Sequence, residues 1–369
     1  MLKRPTLWII PLLFLSSLGG CVSPIAMHRA VLEYDRTVSR VEIELLLLNI
    51  ARVRHYHPVH FTAVSHIAAT FDFRVSSGLM GVPFEAFSSG VPPLRLMLGS
   101  SAAENPTISI IPIQGEEFTQ RILTPMDETK FEFLAHQGID PAIILRLIAR
   151  GIILDGYDES GFLLNQPHLE EEYREFRRRI LHLSSLNLSR QLHIGAIRFM
   201  NGPEPVIGRI AITNYSLPTL SEEERRSMQE KAQHYPRNFI LVDIRPGAPG
   251  GDYPFHGVIK LRNFKAILGF IGRGIEEEPE FHVDKDPRTG QVLVNPPKTL
   301  AIRETLIPPD DAVFLVQEQG LWYSVDPAPE GEKRFSKWNR EAFDVLYQLF
   351  QMTVTDVTRV PAPTITIAK

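Results

Sequence analysis

Cysteine is almost absent from this chain: a single residue, Cys21, stands among 369. One thiol forms no internal disulfide, so the fold must rest on packing. Long apolar runs are missing too. The stretch Leu7–Leu15 contains Pro11 and stops in Ser16-Ser17-Leu18-Gly19-Gly20, short of the roughly 20 apolar residues a spanning helix needs. Neither sign of charge dominates, since 39 Lys and Arg stand against 43 Asp and Glu for a formal net charge of −4. No basic block is present, which argues against nucleic acid as a partner. Catalytic signatures are equally scarce. There is no Gly-x-Ser-x-Gly elbow, no His-Glu-x-x-His and no Walker loop, and Gly269-Phe-Ile-Gly272-Arg-Gly274 lacks the spacing of a dinucleotide loop. No catalytic residue, metal ligand or cofactor is therefore expected.

What is present at the amino end is ordered. Lys3 and Arg4 come first, the apolar run follows, and Leu18-Gly19-Gly20-Cys21 closes it. This arrangement resembles the lipobox of bacterial lipoproteins. The resemblance implies cleavage between Gly20 and Cys21, a diacylglycerol thioether on the Cys21 thiol and a further acyl chain on the new amino terminus. More than one acyl chain suffices for stable membrane attachment. Val22 and Ser23 follow, with no Asp at the second mature position. Similarity to the enterobacterial sorting rule then implies the outer membrane, with the body on its periplasmic face. The bland alternative is an ordinary signal peptide with an unmodified cysteine. Loss of residues 1–20 would remove Lys3 and Arg4, two positive charges, and take the formal balance from −4 to −6.

The remainder reads as a globular body. Apolar residues at 44% and charged residues at 22% are near the average, while 29 prolines and 24 glycines imply short elements and many turns. A long helix is expected over 24–54, where Val31, Tyr34, Val38, Val41, Leu45 and Leu48 recur at three and four residues. Leu46, Leu47 and Ile50 make its second half apolar on other faces too, as a core helix requires; a free-standing coiled coil is the alternative. Four histidines follow, His55, His57, His60 and His66. Their spacing is broken by Pro58 and no acidic residue lies nearby in sequence, so turn residues at a helix end explain them better than a metal site.

Beyond Phe61 the period changes to two. Phe71, Phe73 and Val75 alternate with Asp72, Arg74 and Ser76, and a second strand is expected at Thr107–Ile113. Between them, residues 76–103 carry only Glu85 and Arg95 as charges. A structureless stretch of that length is functional or mobile in most compact domains. The apolar Leu79, Met80, Phe84, Phe87, Leu96 and Met97 make it a candidate contact arm for a partner or a membrane. The default is an arm or cap. The competing form is a membrane-inserted hairpin, one per protomer of a shared barrel, with Pro83, Pro92 and Pro93 set against it as residues that remove ladder donors.

Further along, helices are expected at 126–137, at 142–152 behind the Asp140-Pro141 cap, at 168–183, after the capping box Ser221-Glu222-Glu223-Glu224, at 261–272 and from Ser336. Strands are expected at 192–200, 206–215 and 239–244, and in hairpins at 281–284 with 291–294 and at 313–316 with 321–325. Pro246–Pro254 is the candidate domain boundary. The tail from Thr353 is rich in Thr, Val, Ile and Pro, suited to extended pairing. Segments Glu104–Ser109 and Asn339–Phe350 resemble uncharacterised Gram-negative envelope lipoproteins, a resemblance that implies no activity. These readings converge on an α+β chain: a signal peptide at 1–20, a lipid-anchored domain at 21–245 with an arm at about 61–113, and a C-terminal region at 246–369. The expected role is structural or assembly-related in an envelope complex, with a protein partner or homo-oligomer and the membrane as partners. An oligomeric channel subunit and a periplasmic hydrolase are the alternatives.

Overall fold

The computed structural model describes residues 22–80, 95–155, 161–197, 199–201, 204–206 and 208–354. The expected leader, Gly20, Cys21, Phe84, Phe87 and most of the tail lie outside them. The class is α+β, and the chain divides into two compact units, 1–38 with 62–112 and 39–61 with 113–369. Among the described residues no helix is long and apolar enough to cross a membrane.

The first unit holds a hairpin. Strand β1, Phe61–Met80, has 20 residues and β2, Arg95–Ile113, has 19, and among the described residues the two pair only with each other. A 20-residue strand measures about 66 Å, whereas the connection 81–94 reaches at most about 50 Å, so full-length pairing must be antiparallel. The strands are much longer than the alternating stretches 71–75 and 107–113. Small residues such as Ser76, Ser77 and Gly99–Ala103 carry no hydrophobic alternation, and pairing with the opposite strand recruits them. Pro83, Pro92 and Pro93 lie outside the described residues. Pro106 and Pro112 do lie within β2. A two-stranded ribbon tolerates them because each strand keeps one unpaired edge.

Helix α1, Val22–Arg54, contributes its later half to the second unit, where Leu46, Leu47, Ile50 and Ala51 are wholly buried. Helices α2, Glu116–Leu123, α3, Glu128–His136, and α4, Pro141–Ile148, follow. Asp140 starts α4 by accepting from the Ala142 N–H at 2.9 Å, with Pro141 at the first helical position. The helix was expected to continue to residue 152. It ends at Ile148 because the backbone turns directly into strand β3, Ala149–Leu154, where the β-branched Ile152 pairs with Ile259. The junction is closed by side chains: Asn165 donates to the Arg146 and Ala149 carbonyls, and Arg262 to that of Leu147.

The remaining elements are β4, Phe162–Leu164; α5, Glu170–Leu188; β5, His193–Ala196; β6, Phe199–Asn201; β7, Glu204–Val206; β8, Ile210–Thr213; α6, Glu222–His234; β9, Phe239–Ile244; β10, Phe255–Leu261; α7, Phe264–Arg273; β11, Ile302–Thr305; β12, Val316–Glu318; β13, Leu321–Val325; and α8, Arg334–Val354. A six-stranded sheet runs β4-β3-β10-β9-β8-β5 and a three-stranded one β11-β13-β12. Only β8 and β9 run parallel within the larger sheet, because α6 carries the chain back between them. The capping box of α6 forms as its sequence indicates, with Ser221 N–H donating to Glu224 at 2.9 Å and Ser221 Oγ accepting from Glu224 N–H. The Gly/Pro-rich loop 246–254 joins β9 to β10, which are antiparallel neighbours starting at Ile244↔Phe255. It is a connection inside one sheet and separates no compact units.

Residues 281–284 and 291–294 form no strands. The turn between them is present, with Arg288 N–H donating to Asp286 Oδ1 at 2.9 Å, but buried guanidinium groups take the place of a ladder. Arg146 donates to Thr299 Oγ1 at 3.0 Å and to the carbonyls of Pro296 and Pro297 at 3.0 and 2.8 Å. Arg177 donates to the same two carbonyls and to Asn295 Oδ1. Glu280 sits within reach of both arginines, at 3.3 and 3.6 Å, and accepts from the Tyr173 hydroxyl at 2.7 Å. Burial pushes its carboxyl up, but the two guanidiniums and Thr299 outweigh that and hold it below the usual range. By contrast, a hairpin does form with Leu321–Val325, although its first strand is Val316–Glu318 rather than 313–316. Its two turn residues, Gln319 and Gly320, both have positive φ, 52° and 80°, the signature of a tight primed turn.

Candidate functional site

The hairpin is the feature most plainly shaped for contact, and its root is built from the body upward. Helix α1 places Asn49, wholly buried, beside the residue that precedes β1. The Asn49 amide donates to the His60 carbonyl at 2.9 Å and accepts from the His60 N–H at 2.7 Å. One side chain thus satisfies both backbone groups of His60, and Arg52 adds a bond to the same carbonyl at 3.2 Å. Phe61 is wholly buried, with its ring 5.0, 6.0 and 6.2 Å from those of Phe350, Phe118 and Phe264. Ile113, the last residue of β2, is buried as well. Both strands therefore begin from side chains fixed in the same core.

The histidine-rich turn supports this root. Tyr56 adopts the left-handed conformation, φ 58°, and ends α1. His55 Nε2 lies 2.7 Å from the Tyr323 hydroxyl, which donates to Glu304 Oε2 at 2.7 Å. The hydroxyl hydrogen is thereby committed, so His55 must be the donor in its own bond. His57 Nδ1 meets Glu318 Oε1 at 2.8 Å. Arg54 pairs with Glu276, with Glu277 at 3.3 Å and with Glu304 at 3.6 Å, and Tyr56 donates to Glu277 at 2.8 Å. Burial and the Glu304 carboxylate push the Tyr323 phenol well above its ordinary value. The acidic partners missing from the local sequence are thus supplied from far along the chain. His57 meets an acid directly and His55 reaches one through Tyr323, and among the described residues no group of three or more His, Cys, Asp or Glu is arranged around a metal position.

Of the residues singled out from sequence, Leu79 and Met80 are the last two of β1, and Leu96 and Met97 the second and third of β2. Antiparallel pairing brings those four to the far end of the ribbon. Phe84, Phe87, Gly20 and Cys21 lie outside the described residues.

A second polar cluster escaped the sequence reading because its members are scattered from 215 to 256. It sits at the carboxyl ends of the parallel strands β8 and β9, where open α/β sheets place ligand crevices. Asp243 accepts from the Tyr215 hydroxyl at 2.5 Å and from Arg245 Nε at 2.8 Å, and meets His256 Nδ1 at 2.6 Å. Arg245 also lies 4.4 Å over the Tyr215 ring and donates to Glu224 at 2.7 Å. Burial raises the Asp243 carboxyl, but its three hydrogen bonds prevail and hold it below the usual range. A cleft of about 420 Å³ borders the cluster and is lined also by Asp155, Ser227 and Lys231. The Asp–His pair has the arrangement of a general base, with the carboxylate also held by Tyr215 and Arg245. Searches against protein-family models, curated proteins and solved structures return no match for this chain.

Proposed function

We propose that this protein is a lipid-anchored assembly component of the bacterial outer membrane, with its body in the periplasm, that oligomerises through its hairpin into a shared β-barrel. The observation that carries the reading is the ribbon itself: strands of 20 and 19 residues that, among the described residues, join no other sheet. An isolated two-stranded ribbon is marginal in water, and each outer edge presents unpaired backbone groups that invite another strand. Copies arranged in a ring would pair edge to edge and leave none open. Closed barrels are also the one strand-based structure that bilayers accept, and a spanning strand needs only about 9–11 residues. The lipid implied at Cys21 would deliver the hairpin to that surface. In such a ring Pro106 and Pro112 of β2 would each leave one backbone position without a ladder donor.

Imaging and sizing of detergent-extracted protein test the reading. The full chain should form closed rings, and a variant with Ser77–Ser101 replaced by a short Gly/Ser loop should be monomeric. A monomeric full chain, or rings that survive the replacement, would reject it. The Asp243–His256 contact favours a second reading, hydrolysis at the cleft. In that case a purified, monomeric protein should turn over ester or amide substrates and lose the activity in His256→Ala.

A further inference from the structure

A groove of about 350 Å³ opens along α8. Phe314, Phe343, Tyr347 and Pro327 line it, and Asp311, Asp326 and Asp344 share it with a single basic residue, Arg340. Asp311 is paired with Arg303, and Asp344 accepts from Gln348; Asp326 caps a local turn by accepting from the Ala328 N–H. Val313, which also lines the groove, is 72% exposed. Scattered apolar residues need no explanation, but an exposed valine among aromatic groove-lining side chains is an apolar patch that a ligand would cover.

The chain carries a segment whose chemistry matches. Beyond Val354 it continues to Lys369 through Arg359-Val360-Pro361-Ala362-Pro363. Alternate prolines favour the polyproline II helix, which needs little further ordering on binding, and such segments dock into aromatic-lined grooves. Arg359 suits the acidic side chains there. The reach is adequate: Tyr347 lies about 10 Å before the end of α8, and the five residues from 355 to 359 span about 15 Å at polyproline rise. We propose that Arg359–Pro363 of the same chain occupies this groove and covers the apolar patch.

Disulfide trapping in the purified full chain tests this. In a Cys21→Ser background, Asp344→Cys and Ala362→Cys are combined and oxidised. The expected result is an intrachain disulfide formed at a rate independent of protein concentration. Arg359→Glu, or glycine at both 361 and 363, should slow it at least tenfold. Absence of a disulfide, a rate insensitive to those changes, or a covalent dimer as the sole product would each overturn the proposal. The last result would point to a neighbour's tail.

Discussion

At the scale of single residues, the root of the hairpin depends on side chains that stand in for backbone. Asn49 does what an adjacent strand would do for His60, donating to its carbonyl and accepting from its N–H. Asn49→Ala should leave the His60 N–H without this partner and its carbonyl with Arg52 alone, at a cost of about 1–3 kcal/mol. Chemical denaturation should show this as a lower midpoint at unchanged slope. A loss under about 0.5 kcal/mol would mean water replaces the amide. His182 gives a pH test. It is buried, its ring is 5.3 Å from that of Tyr253, and burial lowers its pKa. The folded state then binds its proton less readily than the unfolded one, whose histidine titrates near about 6.5. The stability it contributes is therefore complete above about pH 6.5 and is lost as pH falls from there toward the lower folded value. His182→Phe should lose less melting temperature between pH 7 and pH 5 than the parent. An equal or larger loss would show that other groups set the slope.

At the scale of elements, the hairpin should be separable from the core. With Ser77–Ser101 replaced by a Gly/Ser loop, Phe61 and Ile113 remain in place, so the melting point should stay within about 2 °C of the parent, the scale of a neutral surface change. A fall of many degrees would show that the removed residues pack as core. Much of this element order was legible in the sequence, because capping and periodicity are local. Asp140-Pro141, the Ser221 capping box and the Gln319-Gly320 turn are each decided within a few residues. What was illegible is non-local. Helix α4 stops where Ile259 of β10, distant along the chain, captures Ile152, a competition absent from residues 142–152 themselves. Likewise, 281–284 and 291–294 have the composition of strands, but Arg146 and Arg177 take up carbonyls of the neighbouring Pro296 and Pro297. The candidate site divides the same way. Apolar content marked the arm, whereas Asn49, Tyr323 and the Asp243 cluster acquire their meaning only once the chain is folded.

For the whole molecule, the proposed attachment would rest on one atom, the Cys21 sulfur. Cys21→Ser should block thioether formation, since a hydroxyl does not replace the thiol there, and the protein should accumulate as an uncleaved precursor or in the soluble fraction. Recovery of the variant with outer membranes at parental mass would exclude the lipobox. The long-range contacts of α1 have a further consequence, one of time. Arg54 bonds Glu277, His55 bonds Tyr323, and Tyr347 bonds Glu42, partners separated by 223, 268 and 305 positions. Loops of that size close slowly, and chains are made from the amino end. The segment that emerges first is thus among the last to be completed, because its partners on β13 and α8 do not yet exist. A chain tethered early through Cys21 would wait at the membrane with α1 and the hairpin root unfinished, and assembly between copies would begin only after the carboxyl-terminal helix had docked.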